Sequence, residues 1–237
     1  MIYYIYYILG IVMIPGIIMG IWAQSKVFST FNHYNKIETK HGKSASEVAR
    51  YMLDSVGCVD TKIKPIKGEL TDNFDPRNNT VSLSESVYNE RSVASIGVAC
   101  HEIGHVIQHK EKYAPIQVRN KLVPVINVLG YFAWPLIFIG LIAEIIFYAT
   151  FAKWLIWVGV GVYALNTIFC LITLPIERNA SKRAYKMLVS TGEMDEKEAE
   201  GVKKVLDAAS LTYVAALVTS ILSLLRLLLF IFIAREK

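Results

Sequence analysis

Four long stretches of apolar residues limit the folds that this chain can adopt. A helix needs about 20 apolar residues to cross a hydrocarbon core that is ~30 Å thick, and each stretch is long enough. Apolar side chains make up 54% of the 237 residues, more than an ordinary soluble domain carries. The sequence therefore predicts an integral membrane protein with about four transmembrane helices. The stretches cover residues 2–22, 122–150, 151–175 and 208–234.

The charged residues indicate how these stretches are used. Residues 2–22 contain no charge, lack a positively charged leader and exceed the apolar length of a signal peptide, so we expect a retained anchor. The second and third stretches have little between them except Lys153, which predicts a membrane hairpin. The fourth stretch is longer than one crossing requires, and we expect its first turns to continue outside the membrane.

The polar segment after the first stretch contains signals for one helix and a small β-sheet. Ser44 and Glu47 form a capping-box pattern, which predicts a helix from Ala45 to about Ser55. Residues 80–84 alternate as a half-buried strand does. Two interpretations of this strand stay open: its open edge could pair with an extended peptide, or the strand could simply close a small sheet.

The motif His101-Glu-Ile-Gly-His105 carries the clearest chemical signal in this segment. Each residue of a helix turns by about 100°, so His101 and His105 lie one turn apart on one face and can reach one metal ion. Glu102 lies beside them and could take a proton from metal-bound water without being a ligand. Two neutral nitrogen ligands and such a base are what a zinc hydrolase needs.

The surrounding residues favour a metal site over the alternative, a histidine pair that forms only a polar edge. The predicted helix has one buried side, so it would be anchored in a core while its histidine edge faces a cleft. This side is formed by apolar or small residues, which are Val93, Ile96, Gly97, Cys100, Ile103 and Ile107.

A catalytic zinc site typically takes three protein ligands and keeps a fourth position open. His109 lies too far along the helix axis to close a compact site. We therefore expect His109, like His33 and His41, to lie at the surface or to contact a side chain that binds the metal. Glu177 is the favoured third ligand because the hairpin returns the chain to the side from which it entered the membrane. Glu144 lies toward the far end of that hairpin and is discounted. Acids before the motif stay open as alternatives: Asp72, Asp75, Glu85 and Glu90.

The distribution of positive charge predicts which side of the membrane carries the motif. Opposite the motif, only Lys153, Arg235 and Lys237 flank the apolar stretches, so the positive-inside rule makes the catalytic face cytoplasmic. The net charge of +5 is spread along membrane-flanking segments and predicts no nucleic-acid partner. The basic residues near the membrane on the motif side are Lys26, Lys110, Lys112, Arg119, Lys121, Arg178, Lys182, Arg183, Lys186, Lys203 and Lys204.

Cysteine usage agrees with a cytoplasmic face. The three cysteines, Cys58, Cys100 and Cys170, are odd in number and show no framework spacing, so we expect no disulfides. No CxxC pattern indicates a cysteine zinc site.

Three blocks of sequence resemble the YugP-type neutral zinc metallopeptidases of bacterial membranes. The blocks are the HEIGH motif, Leu-Pro-Ile-Glu-Arg-Asn-Ala-Ser at 174–181 and Lys-Val-Leu-Asp-Ala-Ala-Ser-Leu-Thr-Tyr-Val-Ala-Ala at 204–216, and the resemblance covers nearly the whole chain. More distantly, Glu177-Arg-Asn-Ala180 is similar to the ExxA part of the ExxAD motif in HtpX-type and CAAX prenyl protease-type gluzincins, where the glutamate is the third ligand. Ser181 stands where those enzymes have aspartate, so we expect the contacts around His101 or His105 to differ.

The resemblance implies a membrane zinc endopeptidase. The expected fold is a mainly α membrane protein with about four transmembrane helices and a gluzincin-like α+β zinc-protease domain that contains a small β-sheet. We expect His101, His105 and Glu177 to bind Zn²⁺ and Glu102 to act as general base. Tyr213 and Arg183 are candidate donors to the developing oxyanion, with Tyr213 favoured because it opens the last apolar run beside small residues. Either could equally be a packing or lipid-interface residue.

These expectations divide the chain into five segments. They also place the protein in the cell membrane of a bacterium. The partners would be a protein or peptide substrate, which could be membrane-associated, and the lipid bilayer. Two alternatives stay open: a non-catalytic scaffold or chaperone-like protein with structural zinc, and a zinc hydrolase that cleaves a lipid-borne bond. The segments are an anchor at 1–25, a catalytic segment at 26–121, the hairpin at 122–175, the third-ligand segment at 176–207 and a final transmembrane helix at 208–237.

Overall fold

The computed structural model describes residues 9–147 and 152–235, and this part of the chain is mainly helical. A short 3₁₀ turn, Leu9–Met13, precedes the first helix. The helices are α1 (Ile14–Tyr34), α2 (Ala45–Ser55), α3 (Glu85–Tyr88), α4 (Val93–Lys110), α5 (Ala114–Phe147), α6 (Ala152–Thr191) and α7 (Glu196–Arg235), and the strands are β1 (Lys62–Ile66), β2 (Asn73–Asp75) and β3 (Thr80–Ser84).

Four segments are long and apolar enough to cross a membrane, namely Leu9–Tyr34, Ala114–Gly140, Trp154–Thr191 and Glu196–Ile233. Together with the three-stranded sheet, they confirm the prediction of a mainly α membrane protein with about four transmembrane helices and an α+β part. Helix α5 ends at Phe147 and α6 begins at Ala152, as a hairpin requires. Some predicted transmembrane residues lie outside the described residues: 2–8 of the first stretch and 148–151 at the hairpin turn.

The structure separates into two compact units. Unit 1 contains the described residues up to Trp22, Gln117–Leu174 and those from Tyr213 onwards, whereas unit 2 contains Ala23–Ile116 and Pro175–Thr212. The segment boundaries inferred from the sequence, after residues 25, 121, 175 and 207, stay a prediction.

Unit 1 has a small apolar core and an apolar exterior. Its core contains side chains from α5, α6 and α7, and apolar residues such as Ile17, Phe132 and Trp157 are exposed on its surface. Exposed apolar side chains suit a lipid environment, where they do not face water. The core residues are Ile137, Ile156, Val160, Leu227 and Ile231.

Helix α2 of unit 2 begins where the capping box predicts. The Ser44 hydroxyl accepts a hydrogen bond from the Glu47 amide at 3.3 Å, and the Glu47 carboxylate accepts one from the Ser44 amide at 2.7 Å. These bonds satisfy two backbone donors that a helix start leaves unpaired. The predicted helix from Ala45 to Ser55 is confirmed.

Strand β3 lies in the centre of the sheet, with β1 parallel on one side and antiparallel β2 on the other. The interpretation in which β3 offers an open edge to a peptide is therefore wrong, and β3 closes a small sheet. All five residues of β3 are buried, whereas the alternating pattern predicts a half-buried strand. Val81 and Leu83 enter the core, and the buried Ser84 donates hydrogen bonds from its amide and its hydroxyl to the Asp72 carboxylate.

Helix α4 is anchored in unit 2 by the side that the sequence predicts. Ile96, Cys100 and Ile103 are buried with Val48 and Met52 of α2 in one core. On another side, α4 approaches α6 closely at Gly104. A Cβ at Gly104 would lie 2.4 Å from the carbonyl oxygen of Ala180, which is closer than atoms can pack. Only glycine allows this separation of the two helices.

We predict that Gly104→Ala lowers the free energy of unfolding by about 1–3 kcal/mol, because the new methyl group would force α4 and α6 apart. Gly20→Ala on α1 is the matched control. No described atom lies within 4 Å of a Cβ at Gly20, so this change should be neutral or raise helix stability by up to about 1 kcal/mol. Denaturant unfolding in detergent micelles measures both, and equal stabilities for the two variants would contradict the close contact.

Candidate metal centre

Three side chains from two helices converge on one point in unit 2. The Glu177 Oε2 atom of α6 lies 3.2 Å from His101 Nε2 and 3.3 Å from His105 Nε2 of α4. Within the described ranges, these residues form the one group of three or more potential ligands whose donor atoms lie within 4.8 Å of one another. Two imidazole nitrogens and a carboxylate oxygen fit the three protein ligands of a catalytic zinc site, with a fourth position for water.

The two helices place these candidate ligands by different means. His101 and His105 share a face because they are four residues apart on α4. Glu177 reaches them because Ala180, one turn further along α6, packs directly against Gly104. The glycine between the two histidines of the motif therefore sets the approach of the third ligand candidate, a role that sequence reasoning missed.

Each histidine has an orienting partner on its other ring nitrogen. His101 Nδ1 lies 3.1 Å from the Ser181 hydroxyl, so the residue that departs from the ExxAD pattern contacts one of the two histidines. His105 Nδ1 lies 3.0 Å from Gln108 Oε1. An amide oxygen accepts a hydrogen bond, so Nδ1 of His105 carries the hydrogen and Nε2 keeps its lone pair for a metal.

A chain of buried polar groups continues outward from Gln108. This glutamine is fully buried, and its Nε2 donates to the Ile176 carbonyl and to Asn179 Oδ1, both at 2.9 Å. The Ile176 carbonyl can only accept, which assigns the amide nitrogen of Gln108 to that side. Sequence reasoning missed Gln108 and Asn179, although Gln108 stands three residues after His105 on the same helix face.

Arg183 forms the outer end of this chain. Its Nε donates to Asn179 Oδ1 at 2.7 Å, and its guanidinium forms an ion pair with Glu111 and lies 5.7 Å from the centre of the Tyr113 ring. The role of oxyanion donor stays a prediction for Arg183. It also stays one for Tyr213, which is partly buried in unit 1.

Glu102 is only 8% exposed beside the ligand candidates. Burial raises the pKa of its carboxyl group, and the negative charges of Asp72 and Glu177 add to this increase, whereas His101 and His105 partly oppose it. A carboxylate with a raised pKa accepts a proton more readily near neutral pH. Its position and chemistry suit a general base.

The other histidines and acids considered from sequence lie apart from the group of three. His33, His41 and His109 are exposed, which confirms the expectation of surface positions, and the His109 ring contacts Phe74 at its edge. The earlier acids do not complete the group: Asp72 accepts hydrogen bonds from Ser84, Asp75 pairs with Arg77, and Glu85 and Glu90 are exposed.

Comparison with known proteins agrees with this geometry. Residues 9–232 match the family described as "putative neutral zinc metallopeptidase". The "putative membrane protease YugP" of Bacillus subtilis (strain 168) is 42% identical over 221 residues, which cover 92% of this chain and 94% of that protein. No solved structure matches the chain. These matches confirm the resemblance seen in the sequence and the prediction of Zn²⁺ as cofactor. The chain belongs to the family of putative neutral zinc metallopeptidases.

Proposed function

We propose that this chain is a gluzincin-type membrane endopeptidase that hydrolyses peptide bonds. The observation that carries the proposal is the convergence of His101, His105 and Glu177 beside the buried carboxylate of Glu102. Membership of a metallopeptidase family supports peptides as the substrate class, and the name of the Bacillus subtilis relative supports a membrane-bound protease.

The roles of the residues follow from their chemistry. His101, His105 and Glu177 would hold Zn²⁺, which supplies a polarised scissile carbonyl and a coordinated water whose pKa is lowered toward ~7. Glu102 takes the proton of the attacking water and passes it to the leaving amine. Burial favours this cycle because it raises the pKa of Glu102.

The remaining polar groups position the ligands or stabilise developing charge. Gln108 and Ser181 orient the two imidazole rings, and Asn179 and Arg183 hold Gln108 in place through their hydrogen bonds. The contacts of Arg183 with Asn179 and Glu111 support a positioning role.

Tyr213 is therefore the first candidate for the oxyanion donor, and Tyr213→Phe should lower kcat with little change in zinc content.

A scaffold or chaperone-like protein with structural zinc is a weaker proposal. A closed structural site takes four protein ligands, whereas the group found in the described ranges contains three. A structural site also leaves the buried Glu102 without a role. Zinc with four protein ligands in X-ray absorption spectra would favour the scaffold.

We also propose that the catalytic face is cytoplasmic in a bacterial cell membrane, because basic residues flank the apolar stretches on that side. A cysteine introduced at Lys64, which is exposed on β1 in unit 2, provides a test. A membrane-impermeant thiol reagent should label Lys64→Cys above the parent protein only after cell lysis, and equal labelling in intact cells would contradict this orientation.

Glu102→Gln should lower the rate of peptide hydrolysis by about 10²–10⁴-fold, because the amide cannot take a proton from the attacking water. Zinc content should stay at the wild-type level. Comparative proteomics of membranes from cells with wild-type protein or Glu102→Gln gives the activity measurement, and Glu85→Gln, an exposed change of the same type, is the control. Full proteolysis by zinc-loaded Glu102→Gln would exclude this mechanism.

Glu177→Gln should lose most of the bound zinc, since a neutral amide is a poor substitute for a carboxylate ligand. Glu90→Gln replaces an exposed acid and should retain zinc. Elemental analysis of the purified proteins measures the zinc content of both variants. If Glu177→Gln and Glu90→Gln hold equal zinc, Glu177 is not the third ligand.

Gln108→Ala should weaken zinc binding by about 10–100-fold, because His105 loses the acceptor that fixes its ring. Exposed Gln117→Ala is the control and should match the wild type. Competition with a chelator measures the affinity, while circular dichroism checks that the variant folds. Unchanged affinity in folded Gln108→Ala would show that this contact does not position the ligand.

A further inference from the structure

Helices α1 and α7 border a second cleft in unit 2, separate from the proposed zinc ligands. Its volume is about 470 Å³, which lies within the range of small-ligand sites. The residues that line this cleft include Lys26, Ser29 and Thr30 on α1 and Lys204, Asp207 and Leu211 on α7.

Side-chain packing holds the two walls of this cleft together. Phe31 of α1 is buried against Val205 of α7 and Ala94 of α4. Gly201 of α7 faces the Tyr34 ring so closely that a Cβ there would lie 2.8 Å from it. The cleft is therefore part of the folded unit and not a gap between mobile segments.

The cleft lies where both helices change from apolar to charged sequence. Lys26 is the first charged residue after the uncharged stretch 2–25, and Asp207 is the last before the uncharged stretch 208–225. Both helices contain candidate membrane spans. The boundary between apolar and charged residues on a spanning helix lies at the depth of the lipid headgroups, so the cleft opens at that depth.

The charges in the cleft favour an anion. Lys26 and Lys204 are exposed, and neither forms an ion pair within the described parts of the chain. Asp207 opposes one of these two positive charges. The Thr30 hydroxyl adds a donor of the kind that phosphate oxygens accept, whereas the Ser29 hydroxyl already donates to the Lys26 carbonyl at 3.1 Å.

We propose that this cleft binds the phosphate-bearing headgroup of an anionic phospholipid, whose acyl chains remain in the bilayer beside the apolar turn that begins at Ala208. Basic pockets between transmembrane helices recognise anionic headgroups in this way. A headgroup here neutralises the unpaired lysines and joins α1 to α7. The inference rests on the membrane insertion of these helices and is independent of the proposed catalytic mechanism.

The test is a titration of the purified full-length protein in neutral detergent, with the unfolding temperature as readout. Phosphatidylglycerol should raise this temperature, because a ligand that binds the folded state stabilises it. Removing both charges in Lys26→Gln/Lys204→Gln should weaken the apparent affinity by roughly 30-fold, at about 5-fold per lysine. Asp207→Asn should strengthen it by about 5-fold, since it removes the opposing charge.

The control is Lys62→Gln/Lys64→Gln, which removes two exposed lysines from β1 and should respond like the wild type. Lys26→Arg/Lys204→Arg should also retain binding. The proposal is overturned if Lys26→Gln/Lys204→Gln keeps the wild-type affinity, if phosphatidylcholine stabilises as well as phosphatidylglycerol, or if inorganic phosphate alone reproduces the effect, which would indicate a site for free phosphate. If the glutamine variant does not fold, an unchanged affinity in Asp207→Asn overturns it.

Discussion

Helix α4 can approach α6 as closely as it does only because residue 104 has no side chain. A single methyl group there would overlap the Ala180 carbonyl oxygen. This contact brings Glu177 to within about one hydrogen-bond length of two imidazole nitrogens that α4 presents four residues apart. The rest of unit 2 supports this arrangement: α2 and β3 bury the opposite side of α4, and Ala184 and Leu188 of α6 join the same core.

Polar groups around the proposed ligands limit the orientations that the two imidazole rings can take. Ser181 and Gln108 each bind one Nδ1 atom, so both rings direct Nε2 toward Glu177. Gln108 is itself held by a backbone carbonyl and by Asn179, and its burial makes any loss of these bonds costly. The side chains of the proposed ligands are thus oriented by the fold itself, which favours metal affinity and selectivity.

Four helices, α1, α5, α6 and α7, contain both apolar spans and residues of unit 2. The same chain segments therefore meet lipid along part of their length and enclose polar chemistry along another part. On α6 the polar part contains Glu177, and on α1 and α7 it contains the basic cleft. The candidate ligand Glu177 lies only three residues after Leu174, the last residue of unit 1 on α6, which fits the similarity to a membrane protease.

The sequence by itself determined the local secondary structure and the types of side chain in the candidate metal site. The capping box at Ser44 sets the start of α2, the apolar stretches predict the spanning helices, and the spacing of His101, Glu102 and His105 follows from helix geometry. Only the tertiary structure decided that β3 is central, because its neighbours β1 and β2 pair with it from elsewhere in the chain. Only the structure also connects Gln108 to Asn179, residues 71 positions apart. Such contacts depend on how two helices are rotated and how closely they pack, and a local pattern of residues does not contain that information.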